Sequence, residues 1–216
     1  MIGILAYGSL ISDPGSEINE RIERIIKNVE TPFAVEYARR SMTRSCAPTL
    51  VPVPIEKGIS VNASVMVLKE DTQLPQVLDM LYRREIHKVG DSNKVYKEPA
   101  DPDTHNLRIM QEKSFAGLDI VLYTKFPANF GAILDNSFSN QEKADLLCSA
   151  ACESLTKDTF QNELDGIQYL TEAINSGVKT CLTELYKQAI LRKAGTDIKD
   201  LQTARQMIAE SKGLFP

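Results

Sequence analysis

The sequence predicts an α+β protein in which a strand-rich part, residues 1–136, is followed by a helical part, residues 137–216. In the first part, short segments rich in Val and Ile alternate with turn residues, which favours strands. In the second part, apolar residues recur at three- and four-residue spacing, which favours helices that pack on a core. The chain has 216 residues, of which 43% are hydrophobic, and this is enough to bury such a core.

The first predicted element is a buried strand, Ile2–Ala6, which breaks suddenly on Tyr7-Gly8-Ser9. A helix is predicted over residues 17–28, because isoleucines recur there at helical spacing. Three prolines between residues 47 and 54 forbid a helix and favour an edge strand or a surface loop. Further strands are predicted at residues 33–45, 59–68, 96–99, 107–111 and 119–126.

A second helix is predicted over Leu74–Glu85, with a proline in its first turn. Glu85 follows Leu81 by four residues and therefore lies on the apolar face of this helix. A carboxylate on a core-facing stripe is costly unless it is paired or protonated, and such a group is suited to general acid–base catalysis. The alternative is that the helix ends at Arg84 and that Glu85 turns into water. Arg83 and Arg84 are expected to point away from this face, with folding back toward Glu85 as the alternative.

The helical part contains several apolar stripes separated by glycines. Gly177 is predicted to break one helix from the next, and Gly195 to end a helix as its C-cap. The helices are predicted at residues 141–157, 164–174, 178–189 and 198–208.

The charge of the chain argues against two classes of partner. The net charge is −4, and no run of Lys and Arg exceeds two residues, so neither nucleic acid nor a membrane surface is an expected partner. No apolar stretch approaches the roughly 18 residues of a membrane span. The N-terminus lacks a basic leader, and we therefore expect a cytoplasmic protein.

The cysteine pattern does not indicate a metal site. The chain has four cysteines and two histidines, and no two cysteines have Cys-x-x-Cys spacing. Cys148 and Cys152 lie one helical turn apart and are interpreted as buried thiols. We expect neither a metal nor another cofactor.

The loop Tyr7-Gly8-Ser9-Leu10 is the strongest functional signal. It follows a core strand directly, and its main-chain N–H groups are expected to bind an anion such as a phosphate or a carboxylate. Glu85 favours a carboxylate or a carbonyl over a phosphate, because a second negative group nearby would repel a phosphate.

This loop after an N-terminal strand, together with Glu85 at the end of a Leu-rich helix, resembles the γ-glutamylcyclotransferase-like family. That family includes the glutathione-degrading ChaC-type enzymes, the γ-glutamylcyclotransferases and the γ-glutamylamine cyclotransferases. Residues 35–40 and 47–53 resemble further family segments, whereas Ile86 follows Glu85 where many members have a glycine. The resemblance leaves the branch of the family open. It covers roughly residues 1–126 and implies a mixed β-barrel with flanking helices for the domain of residues 1–136. The helical C-terminal extension, residues 137–216, is predicted from its apolar periodicity and is expected to pack on that domain.

The resemblance also implies an activity. A γ-glutamyl group would cyclise to 5-oxoproline with release of an amine or a peptide, and Glu85 would act as general acid and base. The substrate is left open between glutathione, a γ-glutamyl amino acid and a γ-glutamylamine, and so is the oligomeric state. A non-catalytic binding protein for a γ-glutamyl or amino-acid-like ligand on the same fold is the alternative. The resemblance implies that Tyr7, Gly8, Ser9 and Leu10 bind the substrate. Two further polar candidates are predicted from the sequence: Arg39 as a clamp for a second substrate carboxylate, with a surface role as the alternative, and Tyr96 as a hydrogen-bond donor.

Overall fold

The computed structural model describes residues 1–100 and 107–214 and confirms the α+β class. By its contacts the chain divides into two compact units, one of Met1–Pro32 and Val61–Pro127, the other of Phe33–Ser60 and Ala128–Pro216. The strands are β1 (Ile2–Ala6), β2 (Ile22–Glu30), β3 (Ala34–Ser41), β4 (Ala47–Val53), β5 (Asn62–Leu68), β6 (Arg108–Phe115) and β7 (Leu118–Lys125). The α-helices are α1 (Ser16–Asn19), α2 (Leu74–Glu85), α3 (Gly131–Leu134), α4 (Asn140–Ser154), α5 (Lys157–Gln161), α6 (Gly166–Asn175), α7 (Thr183–Ala194) and α8 (Leu201–Ser211).

The first unit is built on an open five-stranded sheet in the order β2-β5-β1-β7-β6. The central strand β1 runs antiparallel to β5 and parallel to β7. The described strands do not close into the predicted barrel, because β2 and β6 remain edges of this sheet. Edge strand β2 exposes most of its residues, and two register shifts interrupt its pairing with β5. Exposed charges and bulges of this kind discourage further strand pairing at an edge.

The predicted helix over residues 17–28 is wrong. The helix α1 ends at Asn19, and the isoleucines that follow lie in β2, where Ile25 pairs with Met66 and Ile26 with Val65. Isoleucine is stiff at χ1 and packs well on a pleated surface, so the available partner strand decides between two conformations that the spacing alone does not separate. The strand predicted at residues 96–99 is also absent, since that stretch has no regular structure.

The helix α2 has the predicted bounds and covers one face of this sheet. Val77, Met80 and Leu81 are buried, and they share one apolar core with residues of β1, β5 and β7. Burial of a side chain of this size contributes about 1.5–3 kcal/mol each, and this is what fixes the helix on the sheet. The other members of the core include Ile4, Ala6, Leu10, Ile18, Met66, Leu68, Ile109 and Leu122.

The second unit combines a two-stranded antiparallel sheet of β3 and β4 with the C-terminal helices. Helices α4 and α6 pack on β4, and α7 packs on α4 and α8. The predicted helices correspond to α4, α6, α7 and α8, and Gly195 ends α7 as expected. Residues 33–60 thus belong with the helices, whereas the predicted boundary lay at residue 136. The helices therefore pack on β4, which lies within residues 1–136, and their packing on the rest of residues 1–136 outside 33–60 stays a prediction.

No helix among the described residues combines the length and the apolar character that crossing a membrane requires.

Candidate functional site

The loop after β1 forms a tight hydrogen-bonded turn. The N–H of Ile11 donates to the carbonyl of Gly8 at 2.9 Å, and the N–H of Asp13 donates to the carbonyl of Ser9, also at 2.9 Å. Within residues 1–100 and 107–214, the main-chain N–H groups of Gly8, Ser9 and Leu10 donate to no acceptor. Three successive N–H groups at the start of a turn carry partial positive charge and suit a carboxylate or an oxyanion.

Two side chains anchor this loop. The hydroxyl of Tyr7 donates to the carbonyl of Thr124 in β7 at 2.6 Å. This bond is possible because β1 and β7 are parallel, so their carboxyl ends lie at the same edge of the sheet. The side chain of Leu10 is buried in the core beneath α2. Leu10 can therefore offer a ligand only its backbone.

The course of the chain brings Glu85 back to this loop. Strand β5 runs antiparallel to β1 and ends beside the start of β1, where Val67 pairs with Gly3. Helix α2 then returns across the sheet. Its 12 residues span about 18 Å, roughly the length of a five-residue strand, so its C-terminus reaches the edge where β1 ends.

Arg84 joins the loop to Glu85. Its Nη1 donates to Oε1 of Glu85 at 2.9 Å, and its Nη2 donates to Oγ of Ser9 at 3.2 Å. Its Nε and Nη2 also donate to the carbonyl of Asp13, at 3.0 and 2.7 Å. The side chains of Arg84 and Glu85 are each 11% exposed. The carboxylate is thus neither fully buried nor turned into bulk water, and a guanidinium links it to Ser9.

The two oxygens of Glu85 differ in their surroundings. Oε1 accepts from Arg84, whereas Oε2 has no hydrogen-bond partner in the described part of the chain. A carboxylate held through one oxygen and open at the other is oriented and still able to take up a proton.

The neighbouring Arg83 binds Glu17 and the carbonyl of Lys94 rather than the loop or Glu85. It donates from Nε and Nη2 to both oxygens of Glu17, at 2.9 and 2.8 Å, and from Nη1 to the carbonyl of Lys94. The side-chain hydrogen bonds from Arg83 lower the pKa of Glu17 and keep it ionised. Glu17 also accepts from the N–H of Gly90 at 3.1 Å. These bonds tie the stretch after α2 to α1 and α2.

Tyr96, a predicted substrate contact, lies in the same stretch of chain after α2 and joins it to β6. Its hydroxyl donates to Glu98 at 2.6 Å and accepts from the N–H of Ile109 at 3.0 Å. Burial, together with the bond to Glu98, raises the pKa of Tyr96 to about 12. The structure thus gives this hydroxyl two partners in the chain itself, and its contact with a substrate stays a prediction.

Arg39, the other predicted contact outside the loop, lies on β3 in the second unit. It is half-buried, and burial lowers its pKa. Its role toward a substrate also stays a prediction.

Sequence reasoning does not predict that Arg84 joins Ser9 to Glu85, because the position of Arg84 on the helix favours a side chain that points away from the apolar face. Its location in the last turn of α2 was the available signal, since a long cationic side chain there reaches groups beyond the helix end. In the described residues, no group of three or more His, Cys, Asp or Glu side chains is arranged to hold a metal ion.

No known family profile matches this sequence, and no curated protein matches it. One solved structure to which the chain is similar is a yeast γ-glutamyl cyclotransferase specific to glutathione. The match covers 98% of this chain and 99% of that chain, with 12% sequence identity and a TM-score of 0.42.

Proposed function

We propose that this protein is a γ-glutamylcyclotransferase-like enzyme that converts a γ-glutamyl compound into 5-oxoproline and a free amine or peptide. The observation that carries the proposal is the link through Arg84, which brings the carboxylate of Glu85 to the loop of Gly8, Ser9 and Leu10. A proton carrier and a set of N–H donors are the two components that an intramolecular aminolysis requires.

The reaction needs little more than positioning. The α-amine of the γ-glutamyl group attacks its own γ-carbonyl, a C–N bond closes the five-membered lactam, and the C–N bond to the leaving amine breaks. Because both reacting groups belong to one molecule, holding the substrate in the folded conformation supplies much of the rate.

The loop and Glu85 have separate roles in this reaction. The N–H groups of Gly8, Ser9 and Leu10 bind the α-carboxylate or the developing oxyanion. The α-ammonium loses two protons as it becomes the N–H of the lactam. Oε2 of Glu85 takes them one at a time and passes each to the leaving nitrogen, which departs as an ammonium, so that the protons balance and water need not take part.

The test is to supply glutathione, a γ-glutamyl amino acid and a γ-glutamylamine separately and to measure 5-oxoproline by mass spectrometry. We expect Glu85→Gln to lower kcat by about 10²–10⁴-fold, the usual contribution of a proton carrier. Glu23→Gln, on the exposed edge strand β2, is the matched control and should keep full activity.

Full activity of Glu85→Gln would contradict the role of Glu85. If all three classes of compound bind but none is turned over, the protein is instead a binding protein for γ-glutamyl ligands.

A further inference from the structure

Arg84 uses nearly all of its hydrogen-bonding capacity within this site. A guanidinium has five N–H donors. Four of those of Arg84 have partners: one donates to Glu85, one to Ser9 and two to the carbonyl of Asp13. The acceptors come from the loop after β1 and from the end of α2, which are far apart in sequence. No other side chain in the described residues donates to both Ser9 and Glu85.

We propose that Arg84 is a positioning residue, which sets the distance and orientation between the N–H groups of the loop and the carboxylate of Glu85. This rests on the proposed function for its catalytic meaning. Without Arg84, Tyr7 and Leu10 would still anchor the loop and the core would still hold α2, but no hydrogen bond among the described residues would link Ser9 to Glu85.

The shape of the guanidinium suits this role better than that of an ammonium. Its planar fork serves several acceptors at once in a fixed geometry, whereas lysine presents a single point charge on a flexible stem. The absence of a side chain at Gly15 also leaves room for the aliphatic part of the Arg84 side chain. A Cβ added at Gly15 would lie 3.3 Å from Cγ of Arg84, and the positive φ of Gly15 (77°) is one that L side chains rarely adopt.

The kinetic experiment compares Arg84→Lys and Arg84→Met with the wild-type protein, again by release of 5-oxoproline. A misplacement on the order of 1 Å costs about 10²-fold, so we expect Arg84→Met to lose about that factor in kcat with KM changed less. Added guanidinium ion should restore part of the kcat of Arg84→Met. The kcat of Arg84→Lys should lie between that of the wild type and that of Arg84→Met. Arg192→Met, which removes an exposed ion pair in the second unit, is the control and should keep wild-type kcat.

A second measurement does not depend on turnover. Hydrogen–deuterium exchange of the peptide that covers residues 7–13 should be faster in Arg84→Met than in the wild type and in Arg192→Met. If the wild-type protein turns over none of the γ-glutamyl compounds, the proposed function fails, and the exchange result alone decides whether Arg84 holds the loop.

Two results would overturn the inference. One is an exchange rate over residues 7–13 that Arg84→Met leaves unchanged. The other, in an active protein, is a kcat of Arg84→Met equal to that of the wild type.

Discussion

The carboxyl group of Glu36 on β3 makes the stability of the second unit depend on pH. Glu36 is 2% exposed. Its Oε1 accepts from Oγ1 of Thr180 at 2.6 Å and from the N–H of Tyr37 at 2.9 Å. The main chain at Leu182 and the ammonium of Lys143 in α4 also favour its charged form and lower its pKa. Burial, followed by the negative charge of Glu36, raises the pKa of the Cys181 thiol.

Burial outweighs these favourable contacts and raises the pKa of Glu36 from 4.5 to about 7. A carboxyl whose pKa is higher in the folded than in the unfolded state stabilises the fold fully below about pH 4.5. That contribution is lost as the pH rises through about 7. The difference of roughly 2.5 units corresponds to about 3 kcal/mol.

Glu36→Gln removes the charge and retains an oxygen that can accept from Thr180 and Tyr37. We therefore expect the variant to match the wild type near pH 4.5 and to exceed its free energy of unfolding at pH 8 by up to about 3 kcal/mol. Urea unfolding at several pH values between 4.5 and 8 measures this, and the difference between the two proteins cancels the other titrating groups.

Glu56→Gln, at an exposed position of the same unit, is the control and should follow the wild type throughout. If Glu36→Gln and the wild type lose stability in parallel as the pH rises, burial does not govern this carboxyl and the reasoning is wrong.

Two further substitutions test one feature of each unit, a buried ion pair in the second unit and a positive φ angle in the first. Arg205→Met should lower the free energy of unfolding by about 3–5 kcal/mol in urea, because the 2.7 Å ion pair to Asp165 is nearly inaccessible and the buried carboxylate of Asp165 would lose its counter-charge; a loss below 1 kcal/mol would contradict this. His87→Gly should stabilise the protein by up to about 1 kcal/mol in thermal unfolding, because His87 has φ 56° in the turn that ends α2; a lower unfolding midpoint would contradict it.

Local sequence signals predicted the elements that depend on local interactions. Leu74–Glu85 has a proline in its first turn and a continuous apolar stripe, and it forms a helix with those bounds. The helix predicted over residues 17–28 is wrong for the opposite reason, because residues 22–30 form a strand that depends on a distant partner. Their isoleucines fit both a helix and a strand, and the pairing with β5, more than thirty residues later in the chain, decides between the two.

Taken by itself, the sequence determined which chemical groups the candidate site has to offer. It placed Tyr7-Gly8-Ser9-Leu10 after a strand and Glu85 on the apolar side of a helix end, since both follow from composition and periodicity over a few residues. Only the tertiary structure decided that Arg84 donates to both Ser9 and Glu85. That contact needs β5 to pair antiparallel with β1 and α2 to return across the sheet, and no local pattern specifies where a long, flexible side chain finds its acceptors.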